Sequence, residues 1–308
     1  MSSWAPHPVS LRQLQYVVAV AETRSFRQAA ERCRVAQPSL STQIAQAERA
    51  LGVQLFERDR RRVMVTAPGE ELVAQARRLL LAADDLVAAA ARYADPLAGT
   101  LRIGVIPTVS PYLLPEIAPA LRRAHPRLEL VWSEDKTPLL AERLARGELD
   151  AALVALEADL GEVEHVELGR DPFVVAVGEG HALCGSSRPI DADALRGEEL
   201  LLLAEGHCLR DQALSVCGRR RRKESPFGAT SLSTLTQMVA AGRGVTLLPA
   251  LALPTENRRG QLHVRPFKEP VGRTLALIWR RGSAVAPAAR AVAETVRERY
   301  QALTRRAR

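Results

Sequence analysis

From Pro68 to Tyr93 the chain carries one unbroken helical pattern in which Leu72, Ala76, Leu79, Ala83, Leu86, Ala90 and Tyr93 alternate at spacings of four and three residues. A seam of period 3.5 sustained over three heptads is the signature of helices that wind around one another. At about 1.5 Å per residue the helix is roughly 39 Å long, and so narrow an apolar stripe on so long a rod is buried most simply against a second copy. The pattern therefore predicts an assembly that is at least dimeric, with Leu72, Leu79 and Leu86 at the contact. It also divides the chain into a short piece before the seam and a long one after it. Asp95-Pro96-Leu97-Ala98-Gly99 breaks the helix, so residues 67–94 read as a linker helix and 95–99 as a hinge.

The short piece is basic and helical. Residues 9–66 hold ten arginines against five acidic residues, a local +5 within a chain whose net charge is +8. Leu11, Leu14, Val17 and Val18 recur at helical spacing, and Ser25 is placed to cap a second helix with Phe26, Ala29 and Ala30 on its apolar face. A tight connection over Arg32 to Ala36 leads into Gln37-Pro38-Ser39, where proline in a first helical turn opens a third helix that Gly52 ends. Two short helices joined by a tight turn, the second polar at its start, form a helix-turn-helix. Glu57 to Arg62 followed by Val63-Met64-Val65-Thr66 suits a hairpin with an arginine-rich tip, a wing.

Beyond the hinge the pattern changes to strands alternating with helices. Apolar runs at Leu101–Ile106, Leu128–Trp132, Ala151–Leu156, Phe173–Val177, Leu200–Leu203, Val245–Leu248 and Leu275–Trp279 are interspersed with helical stretches over Leu113–Ala124, Leu139–Arg146 and Leu232–Ala241, and a last helix covers Pro287–Leu303. This alternation predicts an α/β domain with a largely parallel sheet. About 210 residues accommodate two lobes with a ligand cleft between them, lobe I near 100–170 and 275–308 and lobe II near 171–274. An apolar content of 47% with four cysteines excludes disordered, fibrous and disulfide-stapled classes. No stretch is long and apolar enough to span a bilayer, and no basic n-region precedes the apolar run at Tyr16–Ala21, so the expectation is a cytoplasmic protein with reduced thiols. Only Lys136, Lys223 and Lys268 among the 43 basic residues are lysines, which fits base composition as well as any chemistry.

The stretches Leu11-Arg12-Gln13-Leu14-Gln15-Tyr16, Ser25-Phe26-Arg27-Gln28-Ala29-Ala30, Val35-Ala36-Gln37-Pro38-Ser39-Leu40-Ser41 and Leu51-Gly52-Val53-Gln54-Leu55-Phe56-Glu57-Arg58 resemble the LysR-type transcriptional regulators. The resemblance implies a winged helix-turn-helix, a dimerising linker helix and a two-lobed α/β regulatory domain like that of periplasmic binding proteins. Gln37, Pro38, Ser39, Ser41, Thr42 and Gln43 then lie where a recognition helix enters the major groove of double-stranded DNA, and Arg58, Arg60, Arg61 and Arg62 along the backbone or minor groove. Taken alone, the arginine run reads as a solvated loop, and Leu40 and Ile44 as packing residues.

The four cysteines have different surroundings. Cys33 sits among apolar neighbours in the helix-turn-helix and reads as a small core residue, and Cys184 follows His181 in a Gly/Ser loop. Cys208 has His207 and Arg210 beside it, and donor or cationic neighbours favour the nucleophilic thiolate. If Leu209 to Val216 is helical, the Cα atoms of Cys208 and Cys217 stand about 13 Å apart, whereas a disulfide needs roughly 4.4–6.8 Å. Joining them requires the intervening segment to refold, which describes a redox switch. His207, Cys208 and Cys217 also admit a metal site, although they lack the short ligand pair typical of zinc, and a lone histidine is more often structural.

Gly206-His207-Cys208-Leu209-Arg210-Asp211-Gln212-Ala213 with Cys217, together with Ile106-Pro107-Thr108-Val109 and Met238-Val239-Ala240-Ala241-Gly242, is similar to the hydrogen-peroxide-sensing branch of the family. That likeness implies a peroxidatic role for Cys208, a resolving role for Cys217, and a peroxide pocket of Thr108, Thr137, His207 and Arg273 with Asp211 assisting the switch. Hydroxyl, imidazole and guanidinium groups suit a ligand that both donates and accepts, and Arg273 would stabilise charge on the leaving oxygen. Seen singly, Thr108 and Thr137 read as caps or turn residues. The likeness further implies a homodimer and a homotetramer of two dimers, contact with RNA polymerase, resetting by a thiol reductant such as glutaredoxin or thioredoxin, no cofactor and no metal, and a regulator rather than an enzyme. A regulator with a small organic effector in the cleft, and a thiol peroxidase, are the rival readings; the second leaves the basic winged front unexplained. The chain departs from the branch after Cys217, where Arg219-Arg220-Arg221-Arg222-Lys223 adds five cations that read first as a solvated loop, and otherwise as a contact for DNA or polymerase or as charge that favours the Cys217 thiolate.

Overall fold

In a computed structural model of the chain the described residues are 7–58, 63–92, 95, 97–217 and 223–306. The backbone divides into two compact units, Met1–Ala91 and Arg92–Arg308.

The first unit contains α1 (Leu11–Thr23), α2 (Phe26–Arg32), α3 (Gln37–Leu51), the antiparallel pair β1 (Phe56–Arg58) and β2 (Val63–Val65), and α4 (Ala67–Arg92). Local chemistry sets these boundaries. Ser10 and Gln13 form a reciprocal capping box on α1, and Ser25 Oγ accepts the Gln28 N–H at the start of α2. Pro38 lies in the first turn of α3, and Gly52, at φ 69°, takes the left-handed conformation that ends it. Val20, Ala29, Leu40 and Ile44 form a fully buried centre that Leu55 and Phe56 close from the hairpin. Glu48 binds the hairpin to α3 by accepting the N–H groups of Leu55 and Phe56 at 2.8 and 3.2 Å. The long helix differs in part from its predicted use. Val73 and Ala76 are buried in the unit, and Leu72 packs against the same core. That end of the stripe serves its own domain because the hairpin alone cannot cover the three-helix core. Leu79, Leu86 and Val87 remain 55%, 72% and 71% exposed. Tyr93, the last residue of the seam, lies outside the described residues.

The second unit runs β3 (Gly99–Val105), α5 (Ser110–Ala124), β4 (Leu128–Glu134), α6 (Thr137–Ala145), β5 (Ala151–Ala155), β6 (Val163–Gly178), β7 (Glu199–Leu203), α7 (Cys208–Cys217) and β8 (Lys223–Ala229). It continues with α8 (Leu232–Ala240), β9 (Val245–Pro249), α9 (Leu253–Glu256), β10 (Leu262–Pro266), β11 (Gly272–Arg280) and α10 (Ala286–Arg306). The strands join in the order β4-β3-β5-β11-β6-β9-β7-β8, with β10 also on β6. Parallel pairing is confined to the two ends, β4-β3-β5 and β9-β7-β8, while β11 and β6 run antiparallel to their neighbours. The sheet is therefore mixed rather than largely parallel, because two long strands carry the chain between the halves. The first part of β6 pairs with β11, and its last residues, Phe173 to Gly178, pair with β9 and β10.

Two hydrophobic cores lie on either side of that crossing. One gathers β3, α5, β5, β11 and α10 around Ile103, Leu153 and Trp279, and the other gathers β6 to β9 around Val175, Leu201 and Leu247. Strands β8 and β10 escape the sequence pattern because each carries charged residues or proline. Pro226 is tolerated in β8, which ends the strand order and needs no second partner.

Candidate functional site

Cys208 is the first residue of α7 and is 9% exposed. Gly206, at φ 85°, makes the turn into the helix. Across that turn Lys136 Nζ donates to Glu205 O at 2.7 Å, tying the start of α6 to the loop before α7. Cys208 packs with the core built on β3 and β5, whereas Leu209, the next residue, packs with the core built on β7. The thiol thus sits on the seam between the two halves of the unit.

A cleft of about 790 Å³ opens there, lined among others by Thr137, Phe173, Gly206, Cys208, Asp211 and Gln212. Thr137 begins α6 and caps nothing with its side chain, so the turn-residue reading does not describe it. Its Oγ1 is buried without a hydrogen-bond partner, as are His207 Nε2 and both amide atoms of Gln212. Buried polar atoms left unpaired are costly, and here they cluster at the starts of α6 and α7. Burial, and after it the nearby Lys136 ammonium, holds His207 below the usual histidine range, so His207 stands beside Cys208 as a neutral donor and acceptor rather than as a cation. Arg210 does not extend freely toward the thiol either, since its Nη1 donates to Leu203 O at 3.3 Å.

Thr108 and Arg273 form a second, fully buried group. Arg273 Nη1 donates to Thr108 Oγ1 at 2.6 Å and Nη2 to Thr108 O at 3.0 Å, while Nε donates to Asp171 Oδ2 at 3.0 Å. Neither Thr108, His207 nor Arg273 lines the cleft. The Arg273 guanidinium is engaged with Thr108 and Asp171. Asp211, in the first turn of α7, is exposed. The structure brings Thr137, Cys208 and Asp211 to one cleft and Thr108 and Arg273 to one hydrogen-bonded group, with His207 adjoining Cys208 in the chain.

Cys217 ends α7, and its side chain lies outside the described residues, as do residues 218–222. Nine helical steps separate the Cα atoms of Cys208 and Cys217 by about 13.5 Å. Cys33 and Cys184 are half-buried and pack beside the cores of their units. Burial raises the Cys33 thiol above its usual range, in keeping with a packing role. Sequence reasoning missed three residues at the site. Lys136 sits one position before a residue it did identify, Gln212 follows Cys208 by one helical turn on the same face, and Asp171 gave no local signal at all.

On α3, Gln37, Pro38, Ser39 and Thr42 are exposed and Ser41 and Gln43 half-buried, while Leu40 and Ile44 are fully buried in the core. Gln37 Nε2 donates to Ser41 Oγ at 3.1 Å and Thr42 Oγ1 to Pro38 O at 2.9 Å, so the polar start of the helix is pre-ordered. The side chain of Arg58 and residues Arg60, Arg61 and Arg62 lie outside the described residues. Among the described residues, no helix is long and apolar enough to cross a membrane, and no group of three or more His, Cys, Asp or Glu could hold a metal ion.

Residues 11–70 match the family described as bacterial regulatory helix-turn-helix protein, lysR family, and residues 94–301 match the LysR substrate binding domain. The chain is 43% identical over 295 residues to a hydrogen peroxide-inducible genes activator of Pectobacterium carotovorum, covering 95% of this chain and 97% of the relative. It is also 43% identical over 293 residues to the DNA-binding transcriptional dual regulator OxyR of Escherichia coli, covering 94% and 96%. A full-length OxyR variant from Pseudomonas aeruginosa superposes with a TM-score of 0.74 at 36% identity, covering 94% of this chain and 95% of that one. A hydrogen-peroxide-bound cysteine-to-serine OxyR variant of Corynebacterium glutamicum gives 0.65 at 34% identity, covering 98% and 97%.

Proposed function

The chain belongs to the LysR family of bacterial transcriptional regulators, and on that premise we propose that it is a peroxide-responsive DNA-binding regulator switched by oxidation of Cys208. The observation that carries the reading is the site itself: a buried thiol at the start of α7, with unpaired Thr137 Oγ1 in the same cleft and unpaired His207 Nε2 on the adjoining residue. Hydrogen peroxide has two hydroxyls, each a donor and an acceptor, and meets such atoms in kind.

The chemistry proceeds in two steps. The Cys208 thiolate attacks one peroxide oxygen, forming the S–O bond as the O–O bond breaks, and the departing hydroxide takes up a proton to leave as water. Cys208 is the first residue of α7, where the helix dipole favours negative charge on sulfur. Cys217 then attacks the sulfenic sulfur, the Cys208–Cys217 bond forms and a second water leaves, so two thiols and one peroxide become one disulfide and two waters. Because α7 holds the two Cα atoms about 13.5 Å apart, that bond requires α7 to unwind. Unwinding releases Leu209 and Ala213, each 2% exposed, from the second core, and so couples a covalent event to the packing of the whole unit. The regulator turns over no substrate, and a thiol reductant resets it. Gln37, Pro38, Ser39, Ser41, Thr42 and Gln43 face the major groove, Arg58, Arg60, Arg61 and Arg62 follow the backbone or minor groove, Leu79 and Leu86 pair α4 with that of a second copy, and two dimers form a tetramer that engages RNA polymerase.

The test is footprinting of promoter DNA by the wild-type chain and by Cys208→Ser, each with and without micromolar peroxide. The reading expects protection that changes on oxidation in the wild type alone. An unaltered response in Cys208→Ser removes the redox switch, and no protection in either state removes the regulator.

A further inference from the structure

We propose that Lys136 is a positioning residue for Cys208: by fastening the turn before α7 to the start of α6, it fixes where the thiol stands against the opposite wall of the cleft. The inference rests on the reading of Cys208 as the peroxide-reactive thiol. The two helix starts belong to different halves of the unit. Helix α6 is anchored in the first core by Leu140 and Leu144, whereas the turn over residues 204–207 follows β7, whose Leu200 to Leu203 lie in the second. Lys136 spans them. It is the residue immediately before α6, and its side chain makes no capping bond there. Its Nζ donates instead to Glu205 O at 2.7 Å, 69 residues away. The stem lies along Gly206, since a Cβ added to that glycine would stand 3.0 Å from Lys136 Cδ and 3.7 Å from Nζ. Gly206 and Cys208 line the cleft from one half, and Thr137, the residue after Lys136, lines it from the other.

The turn's own backbone bond, from the His207 N–H to Ala204 O, is long at 3.4 Å, and Gly206, at φ 85°, has no side chain to anchor it. A hydrogen bond from an ammonium is shorter and stronger than one between neutral groups, so the Lys136 bond is the stiffer restraint. The charge also reaches the site, where burial first and this ammonium second hold His207 below its usual range. What the tie fixes is the approach of a sulfur on the second half to the unpaired Thr137 Oγ1 on the first. A peroxide that must meet both atoms reacts only when both are in place. Lys136 makes no hydrogen bond to Cys208 or to the Thr137 hydroxyl among the described residues, so its effect passes through the turn.

The experiment uses the full chain and measures two second-order rates at Cys208. Sulfenic-acid formation with hydrogen peroxide, trapped by dimedone, needs the thiolate and the wall across the cleft; alkylation by iodoacetamide needs the thiolate alone. The variants are Lys136→Met, which keeps the stem and removes the ammonium, and Lys136→Arg, which keeps a charged donor. Lys136→Met slows the peroxide reaction about tenfold, the lower end of what a hydrogen bond to a charged group contributes, and leaves alkylation within about twofold. Lys136→Arg recovers most of the peroxide rate. A wild-type peroxide rate in Lys136→Met, an arginine variant no faster than the methionine one, or a parallel fall in both reactions overturns the proposal. A parallel fall assigns Lys136 to the charge on the thiol or to stability, not to position. A wild-type chain whose Cys208 is alkylated but does not react with peroxide overturns the underlying reading instead.

Discussion

Truncating Leu209 separates the reduced from the oxidised state by a calculable amount. In the reduced structure Leu209 is 2% exposed and packs in the core with the β7 leucines. Closing the Cys208–Cys217 bond must bring two Cα atoms from about 13.5 Å to within roughly 6.8 Å, which requires α7 to be remodelled, and the proposed switch draws Leu209 from that core. Burial of a leucine side chain stabilises by about 1.5–3 kcal/mol, and Leu→Ala in a core costs about 2–5 kcal/mol. If Leu209 has left its site in the oxidised form, Leu209→Ala destabilises the reduced form selectively, by about 2–3 kcal/mol. Reduction then becomes less favourable, and at about 30 mV per 1.4 kcal/mol the disulfide potential moves about 40–65 mV more negative. The assay equilibrates wild type and variant in graded dithiothreitol buffers, quenches with acid and quantifies the linked peptide by mass. An unchanged potential refutes the claim that α7 leaves its core on oxidation, and a shift to more positive values reverses the energetic order proposed.

Other outcomes follow from the same structure. His207 is held below its ordinary value near 6.5 by burial first and Lys136 second, so the unfolded chain takes up a proton that the folded chain refuses. Its contribution is complete above about pH 6.5 and is lost as pH falls toward the lowered folded value; urea midpoints at about pH 7.5 and 5.5 measure this slope, which His207→Gln diminishes. Ser39→Ala and Gln43→Ala weaken binding to the cognate site by about 1–3 kcal/mol each while leaving the thermal midpoint unchanged, whereas Ile44→Ala costs about 2–5 kcal/mol of stability; gel shifts and melting curves separate the two. Leu86→Asp with Val87→Asp, at positions 72% and 71% exposed, leaves the unit folded and drives the assembly toward monomer in sedimentation velocity.

The parts of the molecule legible in the sequence are those whose cause is local. Ser25, Pro38 and Gly52 announce helix ends by chemistry within four residues, and all three occupy the cap or first-turn positions expected of them. The alternation of strands and helices past the hinge likewise follows from local periodicity. Strands β8 and β10 were invisible because their polar faces are explained only by their places in the sheet, and the antiparallel crossing of β6 and β11 depends on pairing far apart in the chain. The site divides along the same line. Cys208 and His207 are adjacent and legible together from local chemistry, whereas Asp211 and Thr137 enter only through the family resemblance. Asp171 was missed, since an aspartate before a proline carries no mark of a carboxylate that meets Arg273, 102 residues away. The long helix shows the limit of periodicity itself: Leu72 and Leu86 belong to one stripe, yet one turns to its own core and the other stays exposed.

The central claim is that peroxide joins Cys208 to Cys217 and that this bond is the switch. Non-reducing peptide mapping of the full chain after one equivalent of hydrogen peroxide tests it most directly. The account predicts a single dominant cross-link between the peptides holding Cys208 and Cys217, absent from Cys208→Ser, with Cys33 and Cys184 remaining alkylatable. Cross-links to Cys33 or Cys184 in its place, or a Cys208 that stays a free thiol while the DNA footprint changes, would contradict it.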